Sequence, residues 1–399
     1  MVNDKMYKLG SARSEIRELF EYGRKRKREI GEDNVYDFSL GNPSVPCPQE
    51  VTDALLDLVR NEDSITLHGY TSAQGDAKVR EAIAEHISNK HGFKVSGDDL
   101  YLTVGAAAAL TCTLNALICP GEEVILVAPY FPEYKVFVEK AGGTVKVVNC
   151  SLDTFEPDAE KISGAISENT AAIILNSPNN PSGAVYSEDC IKAIAKVLDS
   201  KSKEHGKPIY LIADEPYREL VYDGVTVPFI PKHYANTIVC YSYSKSLSLP
   251  GERIGYCLVS PKATEHEKVY LAVCGAGRSL GYVCAPSLLQ KVIPYCLDLT
   301  SDITTYDRNR QLLLTKLTEY GYQTVKPSGA FYLFMKSPLE DAREFSEVAK
   351  RFELLIVAGD SFGAPGYVRI SYCVKTEQIE KALPAFKKMA EYLGLSENK

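Results

Sequence analysis

Residues 241–256, YSYSKSLSLPGERIGY, set one lysine among small hydroxyl residues. Lys245 follows the apolar run Thr237 to Tyr241, and Arg253 comes shortly after it, close to Gly251 and Gly255. A surface lysine needs no such surroundings, and an unpaired buried ammonium is costly. An amine at the end of a buried strand therefore has a chemical use. Other apolar runs also end in polar or aromatic residues. Val127 is followed by APYFPEY, Leu175 by NSPNNPSG and Ile212 by ADEPYREL. A carboxylate, a phenol, amides and an aromatic ring thus stand at neighbouring strand exits. Gly105-Ala106-Ala107 follows Leu100-Tyr101-Leu102 and opens a helix through Leu117. Backbone amides at such a helix start bind phosphate, and Gly and Ala leave the approach unobstructed.

These groups need elements to position them. From about residue 100 to 260, short branched runs alternate with helical patterns. The runs are Val124 to Val127, Ala171 to Leu175, Ile209 to Ile212, Thr237 to Tyr241 and Ile254 to Val259. Continuous apolar runs suit strands covered on both faces. Ser187 to Leu198 reads as a helix, capped by Ser187 with Glu188 and Asp189 in its first turn. The pattern predicts an α/β fold: a three-layer large domain on a mostly parallel, mixed sheet, with a smaller α+β domain. Ligands of open α/β sheets bind beyond the carboxyl ends of the strands, so the four exits should share one site. Residues 47–286 are expected to form the large domain. Residues 1–46 and 287–399 are expected to form the small one, with strands at Phe331 to Phe334 and Tyr367 to Tyr372 and helices at Glu340 to Phe352 and Thr376 to Tyr392.

Bulk composition narrows the class. A formal charge of -7 argues against general affinity for nucleic acid or membranes. The run Arg24 to Arg28 is the local exception, and it reads as the solvated end of an amphipathic helix carrying Ile16, Leu19, Phe20 and Tyr22. The 11 cysteines include no CxxC pair, and the histidines lack metal spacing, so no metal site is expected. Scattered thiols and an N-terminus without an apolar core point to the cytoplasm. GAGRSLG, residues 275–281, lacks the spacing of a nucleotide loop.

An amine, a carboxylate, a phenol, an amide, an arginine and a Gly/Ala turn in one crevice suit pyridoxal 5'-phosphate (PLP), which offers each a partner. SYSKSLSLPGERIGY, with ADEPYREL, NNPSG and YVRISY in this order, resembles the fold-type I PLP enzymes. More narrowly, it resembles the class I/II aminotransferases, in the branch with many bacterial aspartate aminotransferases. The likeness runs from about Asp37 to Tyr372.

The resemblance implies the following roles. Lys245 forms the internal aldimine and, once freed, moves a proton between the substrate Cα and the cofactor. Asp214 pairs with the pyridinium nitrogen, while Tyr217 and Asn180 contact the phenolic oxygen. Phe131 stacks on the ring, where relatives often carry Trp. Ser242, Ser244 and Arg253 hold the phosphate with the amides of Gly105, Ala106 and Ala107, where relatives often carry a polar side chain. Tyr70 reaches the phosphate of a neighbouring subunit, so a homodimer with interfacial sites is expected. Arg369 clamps the substrate carboxylate, with Gly41 and Asn180 lining the pocket. The expected reaction is a ping-pong exchange between an amino acid, aspartate favoured, and a 2-oxo acid such as 2-oxoglutarate. Arg278 is a candidate for a side-chain carboxylate. Two alternatives share these residues: a PLP-dependent carbon–sulfur β-lyase, and a non-catalytic PLP-binding regulator. DEPYREL favours the transaminase over the lyase, and a likeness beginning near residue 37 leaves no room for a regulator's N-terminal winged helix.

Overall fold

Seven strands form the main sheet of the computed structural model, which describes residues 2–11 and 14–395. They are β1 (Leu100–Thr103), β2 (Glu123–Ala128), β3 (Thr144–Asn149), β4 (Thr170–Asn176), β5 (Tyr210–Asp214), β6 (Thr237–Ser242) and β7 (Gly255–Val259). Their spatial order is β1-β7-β6-β5-β4-β2-β3. The pairs from β3 through to β6 are parallel, and β7 runs antiparallel to both β6 and β1. The expected mixed, mostly parallel sheet is thus present. Strand β3 was not among the expected runs. It lies at the sheet edge with most of its residues partly or fully exposed, so TVKVVN never forms an uninterrupted apolar run.

The two-residue period of a strand explains the layers. In β4, Ile173 and Leu175 join one core while Ala172 and Ile174 join the other. In β5, Leu211 and Ala213 oppose Tyr210 and Ile212 in the same way. Helices α1 (Ala106–Leu117) and α3 (His266–Ser279) cover one face through residues such as Leu110, Leu114, Val269 and Val273. Helix α2 (Glu188–His205) covers the other through Ile191, Ile194 and Leu198. Ser187 caps it by accepting from the Cys190 amide. The helix runs past the expected Leu198 to His205, and its added turns carry a Lys201–Glu204 ion pair at 2.7 Å. It stops at Gly206, whose φ of +66° favours glycine.

A second, antiparallel sheet joins β8 (Tyr332–Lys336), β9 (Val357–Ala358) and β10 (Tyr367–Ser371), with β10 in the middle. Helix Thr376–Tyr392 packs Ile379, Phe386 and Met389 into the core behind it, which also holds Phe38 and Tyr372. Tyr36–Asp37 pairs parallel with Leu354–Leu355 as a separate two-stranded sheet. The helix Glu15–Ile30 buries Leu19 against Leu355, Val357 and Phe362. Within its basic run, Arg26 meets Glu353 at 2.7 Å and Lys27 meets Asp37 at 3.6 Å. Among the described residues no helix is long and apolar enough to cross a membrane.

Candidate active site

Strand register builds the site. Asn176 ends β4 directly beside Asp214, which ends β5. The Asn176 amide donates to the Asp214 carbonyl at 2.9 Å, and its Oδ1 accepts from the Asn180 backbone at 2.7 Å. Ser242 ends β6 opposite Gly255, and Gly255 pairs on its other side with Thr103. That register brings residues 104–107, 242–245 and 253 together. Gly255 must be glycine, because a Cβ there would collide with the Tyr241 carbonyl. A Cβ on Gly105, whose φ is +89°, would collide with the Arg253 guanidinium. Ser242 and Ser244 hydroxyls lie 2.7 Å apart, and Arg253 donates to the Ser244 hydroxyl at 3.3 Å. Arg253 itself has φ of +53°, a strained backbone for a side-chain-bearing residue. These residues form a small polar cup.

A cavity of about 300 Å³ adjoins the cup through Ala106, Ala107 and Lys245. Phe131, Asn180, Asp214 and Tyr217 line it from the large sheet. Gly41 and Arg369 line it from the opposite side. Most of the expected site residues are therefore in one place. Tyr70 is not: it is 89% exposed and stands outside the cavity. Arg278 is also exposed, in the last turn of α3, and does not line the cavity.

Burial decides the electrostatics. Asp214 is buried; Tyr134 donates to its Oδ2, and its Oδ1 has no partner. Desolvation pushes this carboxyl up to about 7, against the Tyr134 hydrogen bond that favours the anion. The Lys245 amine opens to the cavity but is surrounded by protein, and it donates to the Gly41 carbonyl at 2.6 Å. Desolvation brings it down to about 8, helped by the charges of Arg253 and Arg369. The Tyr217 hydroxyl lies 2.9 Å from that of Tyr332, and burial holds it well above the usual phenol range.

Arg369 is only 2% exposed. It donates to Asn180 Oδ1 at 2.9 Å and to the Ser39 carbonyl at 2.5 Å, leaving Nε without a partner. Its guanidinium lies 4.6 Å from the Tyr332 ring centre and 4.9 Å from that of Phe362. No acidic side chain among the described residues neutralises it. A buried cation held only by an amide, a carbonyl and ring faces keeps a charge that an anion could neutralise.

Tyr134, Asn176 and Tyr332 also belong to the site, although sequence reasoning did not single them out. Tyr134 follows Phe131 by one helical turn, its amide bonding to the Phe131 carbonyl. Asn176 is the last residue of a buried strand, a position where an amide needs a polar neighbour. Tyr332 sits among apolar residues in AFYLF and reads as core.

A family model described as "Aminotransferase class I and II" matches residues 33–386. A solved amino transferase from Eubacterium rectale is 55% identical, with a TM-score of 0.96 over 98% of this chain and 99% of that one. The aspartate/prephenate aminotransferase of Thermus thermophilus is 33% identical over 87% of this chain and 89% of its own length. The aromatic-amino-acid aminotransferase 2 of Thermococcus litoralis is 29% identical over 94% and 95% respectively. The chain belongs to the class I and II aminotransferases. It is a transaminase whose cofactor is pyridoxal 5'-phosphate, as its strand-end residues had suggested.

Proposed function

We propose that this transaminase exchanges an amino group between an L-amino acid, with aspartate favoured, and a 2-oxo acid such as 2-oxoglutarate, in ping-pong order. One observation carries the reading. A single cavity holds a buried arginine that no acidic side chain among the described residues neutralises, a lysine brought down to about 8 and a carboxyl with one unpartnered oxygen.

These residues fit the cofactor. When bound, PLP supplies an electron sink for the carbanion left as the substrate Cα loses its proton. Asp214 Oδ1 would accept from the protonated pyridine nitrogen, and that positive charge would favour the ionised carboxylate. Tyr217 donates to the phenolic oxygen. Asn180 accepts from Arg369 through Oδ1, so its Nδ2 is the donor left for that same oxygen. Phe131, which lines the cavity, would cover the ring. The Arg253 fork, the Ser242 and Ser244 hydroxyls and the amides of Gly105, Ala106 and Ala107 hold the phosphate. Lys245 would be the residue that holds the cofactor covalently and, when free, would carry the proton to and from Cα. An amine brought to about 8 can do so at neutral pH, because both of its protonation states are accessible. Arg369 grips the α-carboxylate and, with Gly41, orients the Cα–H bond.

The proposal includes a homodimer in which the exposed Tyr70 reaches the phosphate of a second copy. It includes division into lobes near residues 46 and 286, and a cytoplasmic location, which the free thiols support. The donor has a second reading. Ile16, Leu40, Leu110 and Phe131 give the chain's own pocket an apolar wall, which favours an uncharged donor side chain. An acidic one would draw on Arg278 across the dimer.

The test combines pure protein and PLP with a panel of amino acids, with and without 2-oxoglutarate. Transamination predicts oxo acid only when the acceptor is present. Pyruvate and ammonia from cysteine without acceptor would instead identify a lyase. A higher kcat/KM for phenylalanine or leucine than for aspartate selects the second reading of the donor. Lys245→Ala should lose the visible absorbance of the protein-linked cofactor, and turnover should fall by about 10³-fold or more. A retained band with normal turnover would remove the lysine from its role.

A further inference from the structure

Tyr332 has no part in the roles above, yet it touches three of them. Its hydroxyl is 2.9 Å from that of Tyr217. Its ring lies 4.6 Å from the Arg369 guanidinium. It also approaches Gly41 so closely that a Cβ there would collide with its hydroxyl, and the Gly41 carbonyl is the one Lys245 donates to. Packing accounts for the ring, which meets Phe331 and Tyr217 edge-on. It does not account for the oxygen, since phenylalanine would pack alike without a buried polar atom.

The hydroxyl pair has a direction to choose. Each phenol has one hydrogen, so within the pair one donates and the other accepts. If Tyr217 donates, its hydrogen is used up against Tyr332. If Tyr332 donates, the Tyr217 hydrogen is free to enter the cavity that both residues line. We propose that Tyr332 is a positioning residue for transamination: its hydroxyl donates to Tyr217 and so turns the Tyr217 proton toward the phenolic oxygen of the cofactor. The inference rests on the proposed contact between Tyr217 and that oxygen. A relay of two donors polarises the second, so Tyr217 donates more strongly than it would alone. A donor at the phenolic oxygen draws negative charge from it and weakens its hold on the nearby proton. Losing the relay therefore raises the pH at which the bound cofactor loses that proton.

Tyr332→Phe removes the hydroxyl and keeps the ring over Arg369. In the holoenzyme, the absorbance–pH midpoint should move up by about 0.5 to 1 unit, the scale of one hydrogen bond. KM for the amino donor should stay close to the parent value, because the clamp is intact. Tyr217→Phe should raise the midpoint too, and adding Tyr332→Phe to it should move the midpoint no further. An unchanged midpoint in Tyr332→Phe, or additive shifts in the double variant, overturns the inference. Absence of a visible band in the parent protein, or a band that survives Lys245→Ala, would instead overturn the underlying reading.

Discussion

Lys245 and Arg369 are two cations facing one cavity, and burial treats them differently. Desolvation lowers the affinity of both for their protons. The lysine reaches a range where it can be neutral at physiological pH. The arginine stays charged, because a guanidinium does not deprotonate in proteins. Lys245 therefore needs only the Gly41 carbonyl, whereas Arg369 is wrapped by Asn180, Ser39 and two aromatic faces and still has Nε unmatched. One residue is suited to react and the other to receive.

Arg369→Ala is the larger way to break this contrast. Removing one partner of a buried, hydrogen-bonded charge pair typically costs about 2–5 kcal/mol, so kcat/KM for amino acids should fall by roughly 30-fold to a few thousandfold. The cofactor absorbance should persist, because the cup and Lys245 are untouched. Arg369→Lys should recover only part of the loss, since an ammonium lacks the planar fork. Unchanged kinetics, or loss of the cofactor, would end the division of labour.

Arg253→Ala probes the reacting side and should do the reverse. Charge-assisted hydrogen bonds are worth about 1.5–3 kcal/mol, so cofactor affinity should drop by roughly tenfold to a hundredfold in a PLP titration. KM for the amino donor at saturating cofactor should hold. If KM rises in step with the loss of cofactor affinity, the two ends of the site are not separable.

The same contrast explains what could be read from the sequence. The side chains of the cup arise within one short stretch, where the β6–β7 hairpin register places Ser242 opposite Gly255, with Arg253 at the turn, and only the backbone of residues 104–107 joins them from earlier in the chain. Local spacing carried that information, as it carried the doubly buried strands β4 to β6. The clamp is non-local. Arg369 meets Ser39 and Asn180, far apart in the chain, so YVRISY alone shows an expensive arginine but not its partners. Only the family resemblance gave Arg369 a role in advance. Tyr134 and Tyr332 escaped because an aromatic residue beside apolar ones reads as core, and only tertiary contacts show where its hydroxyl points. Edge strand β3 escaped because its outer residues face solvent.

Asp214 offers the finest test, since it belongs to the reacting side but cannot change its charge without affecting folding. Its native value is raised to about 7, while an unfolded aspartate titrates near 4. Between these limits the native state holds a proton that the unfolded state has released. By linkage, this group makes stability fall as pH rises through the window. The fully developed effect is on the order of 4 kcal/mol, from roughly three units at 1.36 kcal/mol each. Asparagine cannot titrate, so cofactor-free Asp214→Asn should lack this component. The Tm difference between parent and variant should change by a few degrees from pH 4 to pH 7, with the parent losing ground as pH rises. Adding PLP should flatten the parent's slope, because a paired pyridinium nitrogen returns Asp214 to the anion. Parallel Tm–pH curves for parent and variant would mean that Asp214 is already ionised without the cofactor, and that its unmatched oxygen is satisfied by water.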